Sequence, residues 1–520
     1  MARTRALLLS HARILTQDVE RPRAEALLAV DGLVSAVGSE AEVRAAARRW
    51  DNVRALDDQG LVVVPGFIDA HVHLLAFAAK LRSVDCSPES AGSIAAIKAR
   101  IGERAAVTPP GGWVRAAGYD EARLAEGRHP TRADLDEAAP AHPVRLIHRT
   151  GHACVLNSRA LALAGIDTDT AEPPGAFIDR DLTTGAPSGL LIEMDELLEG
   201  VVPRLDYDEL ALGVAAADRQ LIAAGVTYVE DASAGNGRQE WDTFERLIGS
   251  GHLRVGVSLM EGYGHAGEAP SRSAGGGLVR GGVKIAPREL EHEVFPGPAE
   301  LSRWVRAVDG EGRQVAVHAV GRAAVEAATG AFRSLDGEAV RARRHRVEHA
   351  GICSEATAAA LADLGVTVVT QPGFLYWNGD AYQRRVPAAD QRDLYPLRRL
   401  VDAGVSVAGS TDAPVSPPDV IAALRAAVTR RSQTGAALAP EQAVSGATAL
   451  TMFTREAARA VGVERERGAL RPGLRADFAV LSRDPTDPAV DWDSLRVVAT
   501  FISGEQVYAG GPAGDSWPPV

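Results

Sequence analysis

Apolar, β-branched stretches recur along the middle of the chain, each closed by a Gly, Pro or polar break and followed by a helical pattern. Eight can be read: "LVVVPGFIDAHVH", "GVTYVEDAS", "LRVGVSLMEG", "GGVKIAP", "RQVAVHAVG", "RHRVEHAG", "GVTVVTQPG" and "GVSVAGSTDAP". Several follow an Ala/Leu-rich helical tail that ends in glycine, as in "LIAAGVTYV", "ALADLGVTVV" and "RLVDAGVSVA". Glycine at a helix C-terminus before a buried parallel strand is the expected punctuation. Eight strand–helix units predict an α/β fold closed as a (β/α)8 barrel of the TIM type. A doubly wound open sheet is the alternative, but it does not ask for eight.

The texture changes at both ends. "RALLLSHARIL" and "AEALLAVDGLVSAVGS" near the start, and "ADFAVLSRDP" and "LRVVATFISGEQVYAG" near the end, read as short strands with turns at Gly473 and Gly504. They predict a β-sandwich domain assembled from residues 1–60 plus 466–520, with the barrel over 61–465. The first and second barrel strands are separated by far more chain than a βα loop requires. Residues 84–205 carry helical segments ("SIAAIKARIGERAA", "RADLDEAA", "SRALALAG") and strand-like ones ("PVRLIHR", "GAFIDRD"). They are expected to form an insertion subdomain after the first barrel strand, over the active-site mouth where such loops emerge.

Composition narrows the partners. The balance of 56 Lys+Arg against 68 Asp+Glu gives a net charge of −12, which argues against nucleic acid or an anionic membrane surface. Three scattered cysteines, Cys86, Cys154 and Cys353, fit a reducing compartment and no disulfide framework. The apolar run of "MARTRALLLSHARIL" is too short for a signal peptide, and no stretch is long and apolar enough to span a bilayer. A cytoplasmic protein is expected. Oligomeric state is unmarked, a homodimer being common for folds of this size.

Reactive residues of such a barrel sit at the C-terminal ends of its strands. The first strand ends on His71 and His73, two apart and so on one face. The fourth carries Lys284, the fifth ends on His318, the sixth on His349 and the eighth on Asp412. Any one of these histidines could be a hydrogen-bonded core residue; four of thirteen at strand ends, with an aspartate closing the eighth, point to a metal site. Imidazole and carboxylate suit zinc or a similar divalent ion, and the lack of cysteine argues against a structural zinc cage. An incomplete protein shell leaves room for water, with Asp412 as both ligand and general base. Glu348 falls on the opposite face of its strand from His349 and Asp231 has no evident partner, so neither enters the catalytic set.

"PGFIDAHVHL", "VHAVG", "RVEHAG" and "GSTDAPV" resemble the successive metal motifs of the amidohydrolase superfamily. The segment from "GGWVRAAGYDEARL" to "RTGHACVLNSRALALAGI" resembles the insertion of its family 3 branch, the N-substituted formamide deformylases. "GALRPGLRADFAVLSRDP" resembles the return into the superfamily's β-sandwich. The resemblance implies one or two divalent metal ions, zinc foremost: His71, His73 and Asp412 at a more buried metal, His318 and His349 at a second, and Lys284 as a bridging carbamate. A snorkelling surface lysine is the alternative for Lys284. The implied reaction is hydrolysis of a C–N bond in a small-molecule amide, N-formyl or related substrate by a metal-activated hydroxide, with Asp412 as proton shuttle.

His152 matches a position that reaches towards the active site and could orient or polarise the scissile carbonyl; packing within the insertion is the alternative. Tyr119, Gln371 and Trp377 are further candidates for the substrate pocket, the last two in "QPGFLYWNGDAY", a segment after strand seven that could be a lid. The chain departs from the family at "KIAPRELEHEVFPG", where relatives run into an Asp-Gly stretch. It departs again at Tyr119 before Asp120, in place of Trp, and at Thr150 before Gly151-His152, in place of Asp. A mononuclear deaminase on the same fold is a second reading, although the strand-five region offers only Glu326 as an acid. A non-catalytic binding protein is a third, against which stands the complete ligand set.

Overall fold

The computed structural model describes residues 5–57, 61–198, 200–273, 275–290 and 292–510. The ends of the two segments expected to form the sandwich, residues 1–4, 58–60 and 511–520, lie outside the described residues. The chain divides into two compact units: Met1–His73, Asp218–Pro287 and Pro298–Val520 form the first, Leu74–Ala217 and Arg288–Gly297 the second.

In the first unit the eight apolar stretches form eight parallel strands: β1 (Phe67–Val72), β2 (Val226–Asp231), β3 (Gly256–Gly262), β4 (Leu278–Ile285), β5 (Val315–Ala319), β6 (Arg346–His349), β7 (Thr367–Thr370) and β8 (Val407–Gly409). They pair in chain order from β1 to β8. The two ends of the sheet meet just past β8, where Asp412 N–H donates to His71 O (3.0 Å) and His73 N–H to Ala413 O (2.8 Å). The same residues that carry the chemistry thus close the barrel. Nearly every strand residue is buried, because a parallel sheet is covered on both faces.

The stretch Val62–Val72 is expected as one barrel strand and is two. Val62–Pro65 belongs to a six-stranded sheet with Phe478–Leu481, Val497–Ile502, Glu505–Ala509, Arg13–Leu15 and Arg23–Ala24; β1 begins only at Phe67. Gly66 makes the switch. A Cβ there would run into the Thr227 side chain, and its N–H donates to Asp477 O (2.9 Å). A four-stranded sheet (Leu33–Gly38, Ala26–Val30, Ala6–Ser10, Val53–Asp57) completes a sandwich built from both termini. Its core joins residues of both sheets, among them Leu7, Leu9, Ile14, Leu27, Val63, Phe478 and Phe501.

The second unit, inserted after the first barrel strand, has its own six-stranded sheet in the order Phe177–Arg180, Pro187–Ile192, Ala153–Leu156, Val144–His148, Val114–Tyr119, Val84–Asp85. Helices Ile94–Val107 and Arg132–Ala138, both with capping hydroxyls at Ser93 and Thr131, pack Ile97, Ile101 and Leu135 against it. The segment Arg288–Gly297 also belongs to this unit and includes a short hairpin, Arg288–Leu290 with Glu293–Phe295. Among the described residues no helix is long and apolar enough to cross a membrane.

Gly409, the last residue of β8, lies under the fully buried Phe453 ring, three of whose atoms would stand 2.5–2.7 Å from an added Cβ. Gly409→Ala is therefore expected to lower unfolding stability by about 1–3 kcal/mol through overpacking, measured by urea denaturation.

Candidate metal centre

The strand-end residues converge. His71 Nε2 lies 3.8 Å and His73 Nε2 3.2 Å from Asp412 Oδ1, and His349 Nδ1 lies 4.0 Å from Asp412 Oδ2. Lys284 Nζ is 3.3 Å from His71 Nε2 and is buried, not at the surface. His318 joins through His349, their Nδ1 and Nε2 atoms 2.9 Å apart. His71, His349 and Asp412 can each turn one ligand atom to within 4.8 Å of the others. All six expected ligand residues therefore belong to one cluster at the C-terminal end of the barrel.

The backbone bends to achieve this. His349 (φ 71°), Ala350 (φ 48°) and Asp412 (φ 57°) occupy the left-handed region, which costs of order 1–3 kcal/mol each for residues other than glycine. Strand alternation would turn His349 away from Glu348 and Arg346; the left-handed turn at its end brings the imidazole back over the strand ends. Two of these residues are held by barrel neighbours through their N–H groups: Ala350 N–H donates to Ala319 O (3.0 Å) and Asp412 N–H to His71 O.

Beneath the ligands is a fully buried ionic network. Glu348 accepts from His71 Nδ1 and from Arg346 Nε (2.7 Å) and Nη2 (3.0 Å). Arg346 also donates to Glu230 on β2 and to Ala70 O on β1 (3.0 Å). Strands β6 and β2 stand four places apart, so this guanidinium crosses the barrel interior. Strand alternation does put Glu348 opposite His349, but the opposite face is the barrel interior, where it meets His71. This partner of His71 is the functional residue the sequence reading missed. A glutamate two residues from an arginine on a wholly buried strand was the available signal, since such charges must find one another.

Asp231, at the end of β2, accepts from Ser233 N–H (3.0 Å) and Asn236 Nδ2 (2.8 Å), and the turn so formed presents Ser233 Oγ to His73 Nδ1 (3.0 Å). Gln371 is fully buried: its Oε1 accepts from His349 Nδ1 (2.8 Å) and its Nε2 donates to Ser410 Oγ (2.9 Å), so its amide fixes the imidazole's orientation. The segment after strand seven, expected as a loop, is a helix, Gly373–Arg385, with Phe374, Leu375 and Tyr382 packed against Leu394, Tyr395 and Leu438. Trp377, half-buried on that helix, meets the Tyr376 ring edge-on at 4.9 Å. Tyr119 and His152 belong to the second unit. Tyr119 is buried with its hydroxyl 2.9 Å from His129 Nδ1, and the half-exposed His152 ring has Nδ1 2.7 Å from Glu193 Oε1.

Electrostatics favour neutral imidazoles and a charged aspartate. Burial, then the neighbouring Lys284 charge, holds His71 well below its usual range; burial and the neighbouring His71 and Lys284 do the same to His349. Burial works to raise the Asp412 carboxyl, but the His71, His73 and Lys284 side chains outweigh it and the net shift is downward. Burial pulls Lys284 down to about 8, against the raising influence of Glu348 and Asp412.

The residues fit a divalent ion. Among the described residues Asp412 Oδ1 is buried without a satisfied hydrogen bond, His73 Nε2 standing 3.2 Å away. Donors held about 2.0–2.2 Å from one tetrahedral ion stand about 3.3–3.6 Å apart, and the two histidine separations from Oδ1, 3.2 and 3.8 Å, fall just to either side of that range. The ring nitrogens facing away from Asp412 are fixed by Glu348 and Ser233, the usual support for metal-bound histidine.

A closed eight-stranded barrel with a terminal sandwich and histidine and aspartate at the strand ends defines a metal-dependent hydrolase of the barrel type. The model of the amidohydrolase family matches residues 54–508, and the chain belongs to that family, as a hydrolase acting on carbon–nitrogen bonds other than peptide bonds. It is 31% identical to the N-substituted formamide deformylase of Arthrobacter pascens over 98% of this chain and 99% of that one. It is 27% identical to the protein LONG AFTER FAR-RED 3 of Arabidopsis thaliana over 96% of this chain and 91% of that one. An uncharacterized metal-dependent hydrolase from Pyrococcus horikoshii has the same fold, with a TM-score of 0.74 at 22% identity, covering 94% of this chain and 99% of that one.

Arg346→Met leaves Glu230 and Glu348 buried without their counter-charge, and is expected to cost about 3–5 kcal/mol in urea unfolding. Burial already raises Glu230 to about 7. Without the guanidinium both carboxyls would bind protons more tightly folded than unfolded, so the deficit should shrink as pH falls and grow as it rises.

Proposed function

We propose that the centre binds one or two divalent metal ions, zinc foremost, and hydrolyses the C–N bond of an amide or N-formyl substrate. The observation that carries this is Asp412 Oδ1, buried without a satisfied hydrogen bond among the described residues and set between the His71 and His73 imidazoles. His71, His73 and Asp412 would hold one ion, and His318, His349 and Lys284 would complete a second site. A divalent ion in this position lowers the pKa of water and polarises a carbonyl oxygen.

The protein supplies the rest. Asp412, kept ionised at neutral pH, takes the proton of the attacking water on its carboxylate and delivers it to the departing nitrogen. Glu348 and Ser233 hold the His71 and His73 rings, and Gln371 holds His349, so the donors are set before substrate arrives. Lys284, brought down to about 8, has a larger neutral fraction near neutral pH than an ordinary lysine. A neutral amine is the form that adds to carbon dioxide, which supports a carbamate at this position. The 31% identity to a formamide deformylase favours N-formyl compounds among the candidate substrates. A carbonyl-orienting role for His152, and pocket roles for Tyr119 and Trp377, rest on the resemblance of the insertion to that of the family.

Asp412→Asn is expected to reduce turnover of an N-formyl amine by the 10²–10⁴-fold typical of a lost general base, or about that order, while the protein retains part of its metal; near-normal turnover would remove Asp412 as the base. Lys284→Ala should take metal stoichiometry, counted by elemental analysis, down by one ion. A single ion in the wild type, left unchanged by Lys284→Ala, would return the centre to the mononuclear arrangement of a deaminase.

A further inference from the structure

At the end of the barrel opposite the metal centre, where β7 and β8 begin, the first unit has a cleft of about 700 Å³. Thr367 starts β7, Val407 starts β8, and both line it. Helices Gly337–Arg343, Gly446–Met452 and Arg455–Ala460 supply its other walls. Small-molecule sites run to about 300–1,000 Å³, so the cleft has room for more than a bare ion. The two strands separate it from the metal centre, since their far ends lead to Gln371 and Asp412.

The charge of the cleft is the reverse of the chain's. In a protein of net charge −12, four arginines line it, Arg341, Arg344, Arg455 and Arg459, against one carboxylate, Glu456. Arg344 is neutralised from beside the cleft: its Nη2 donates to Glu464 Oε1 (2.8 Å) and its Nη1 to Arg459 O (2.7 Å). Glu456 is already engaged, its Oε2 accepting from Ser406 Oγ (2.8 Å) and its Oε1 standing 3.5 Å from Arg455 Nε. Arg341 donates to the carbonyls of Gly337 (3.1 Å) and Asp363, which take its hydrogen bonds and leave its charge. The Arg459 guanidinium makes no hydrogen bond or ion pair with any described residue. With Glu464 counted, four guanidiniums meet two carboxylates, and the excess is positive.

Two of these side chains are set before any ligand arrives. Gly365 ends helix Glu355–Leu364 in the left-handed region (φ 72°), and a Cβ there would run into the Arg341 side chain, which lies across it. Arg344, also left-handed (φ 54°), ties its helix end to the helix that carries Arg459. Singly, an unpaired surface arginine is ordinary. Gathered around one cleft, like charges repel with no return inside the protein. A guanidinium fork matches phosphate or carboxylate oxygens, and a tethered one loses little freedom on meeting them. Ala362, Val401 and Met452 add apolar wall for the body of an organic anion. We infer that this cleft binds a small polyanion, an organic phosphate foremost, at a site distinct from the metal centre, with Arg341 and Arg459 as its principal charges.

Isothermal titration of the metal-loaded, full-length protein with fructose bisphosphate, at fixed ionic strength, tests this. Wild type should bind one equivalent. Arg459→Gln should weaken binding by about 10–100-fold, the effect of losing a hydrogen bond from a charged group, and Arg459→Glu should abolish it. The Arg459 side chain holds no other described residue by a hydrogen bond, so both variants should fold. Arg303→Gln, at an exposed arginine on helix Pro298–Gly310, should bind as wild type does, and so should Asp412→Asn, which alters the metal centre. A parallel titration with tricarballylate separates the sources: binding with the same dependence on Arg459 assigns the cleft to polyanions in general, and no binding assigns it to phosphates. The absence of a saturable isotherm with both anions, or undiminished binding in Arg459→Glu, would overturn the site. Loss of binding in Asp412→Asn would overturn it as well, by moving the anion to the barrel's metal.

Discussion

Arg346 is the constraint on which the barrel's chemistry depends. Its guanidinium crosses the interior from β6 to reach Glu230 on β2 and the backbone of β1, and it clamps Glu348 against His71. A barrel interior is ordinarily layered with branched apolar residues. Putting three charges there gains little stability over an apolar core of the same volume. What the network secures is orientation: with Nδ1 of His71 engaged by Glu348, the lone pair on Nε2 has one direction to face.

The same logic extends outward. His73 is set by Ser233, which stands on a turn closed by Asp231, and His349 is set by Gln371, itself anchored on Ser410. The ligand candidates arrive from five strands, and His71, His73 and His349 are each steadied by a residue from another strand end. The left-handed backbone at His349 and Asp412 is tolerated because the neighbouring strands over-determine it.

Much of this was legible in the sequence. Eight β-branched stretches separated by helical spacing could hardly be anything but a closed parallel sheet, and the residue types at strand ends marked the centre. What escaped has physical causes. The break at Gly66 is invisible to hydrophobic periodicity, because both halves of Val62–Val72 are fully buried and only the packing of Thr227 shows why a glycine stands between them. The helix at Gly373–Arg385 was obscured by its opening Gln-Pro-Gly, which reads as a turn, while its apolar face is supplied by residues distant in sequence. Glu348 was set aside because alternation tells which face a residue takes and not what waits on that face. The contacts of Tyr119 and His148 depend on a bulge at Gly118 that local composition does not reveal.

The division at Gly66 ties the six-stranded sheet of the first unit to its barrel. Val62–Pro65 is hydrogen-bonded to Phe478–Leu481, and five residues after Gly66 the same run of chain delivers His71. The C-terminal strands are in this sense the seat of the first ligand, although they lie some four hundred positions away from it in the chain. The first barrel strand thus takes its starting point from a sheet in which its own run of chain is paired with Phe478–Leu481.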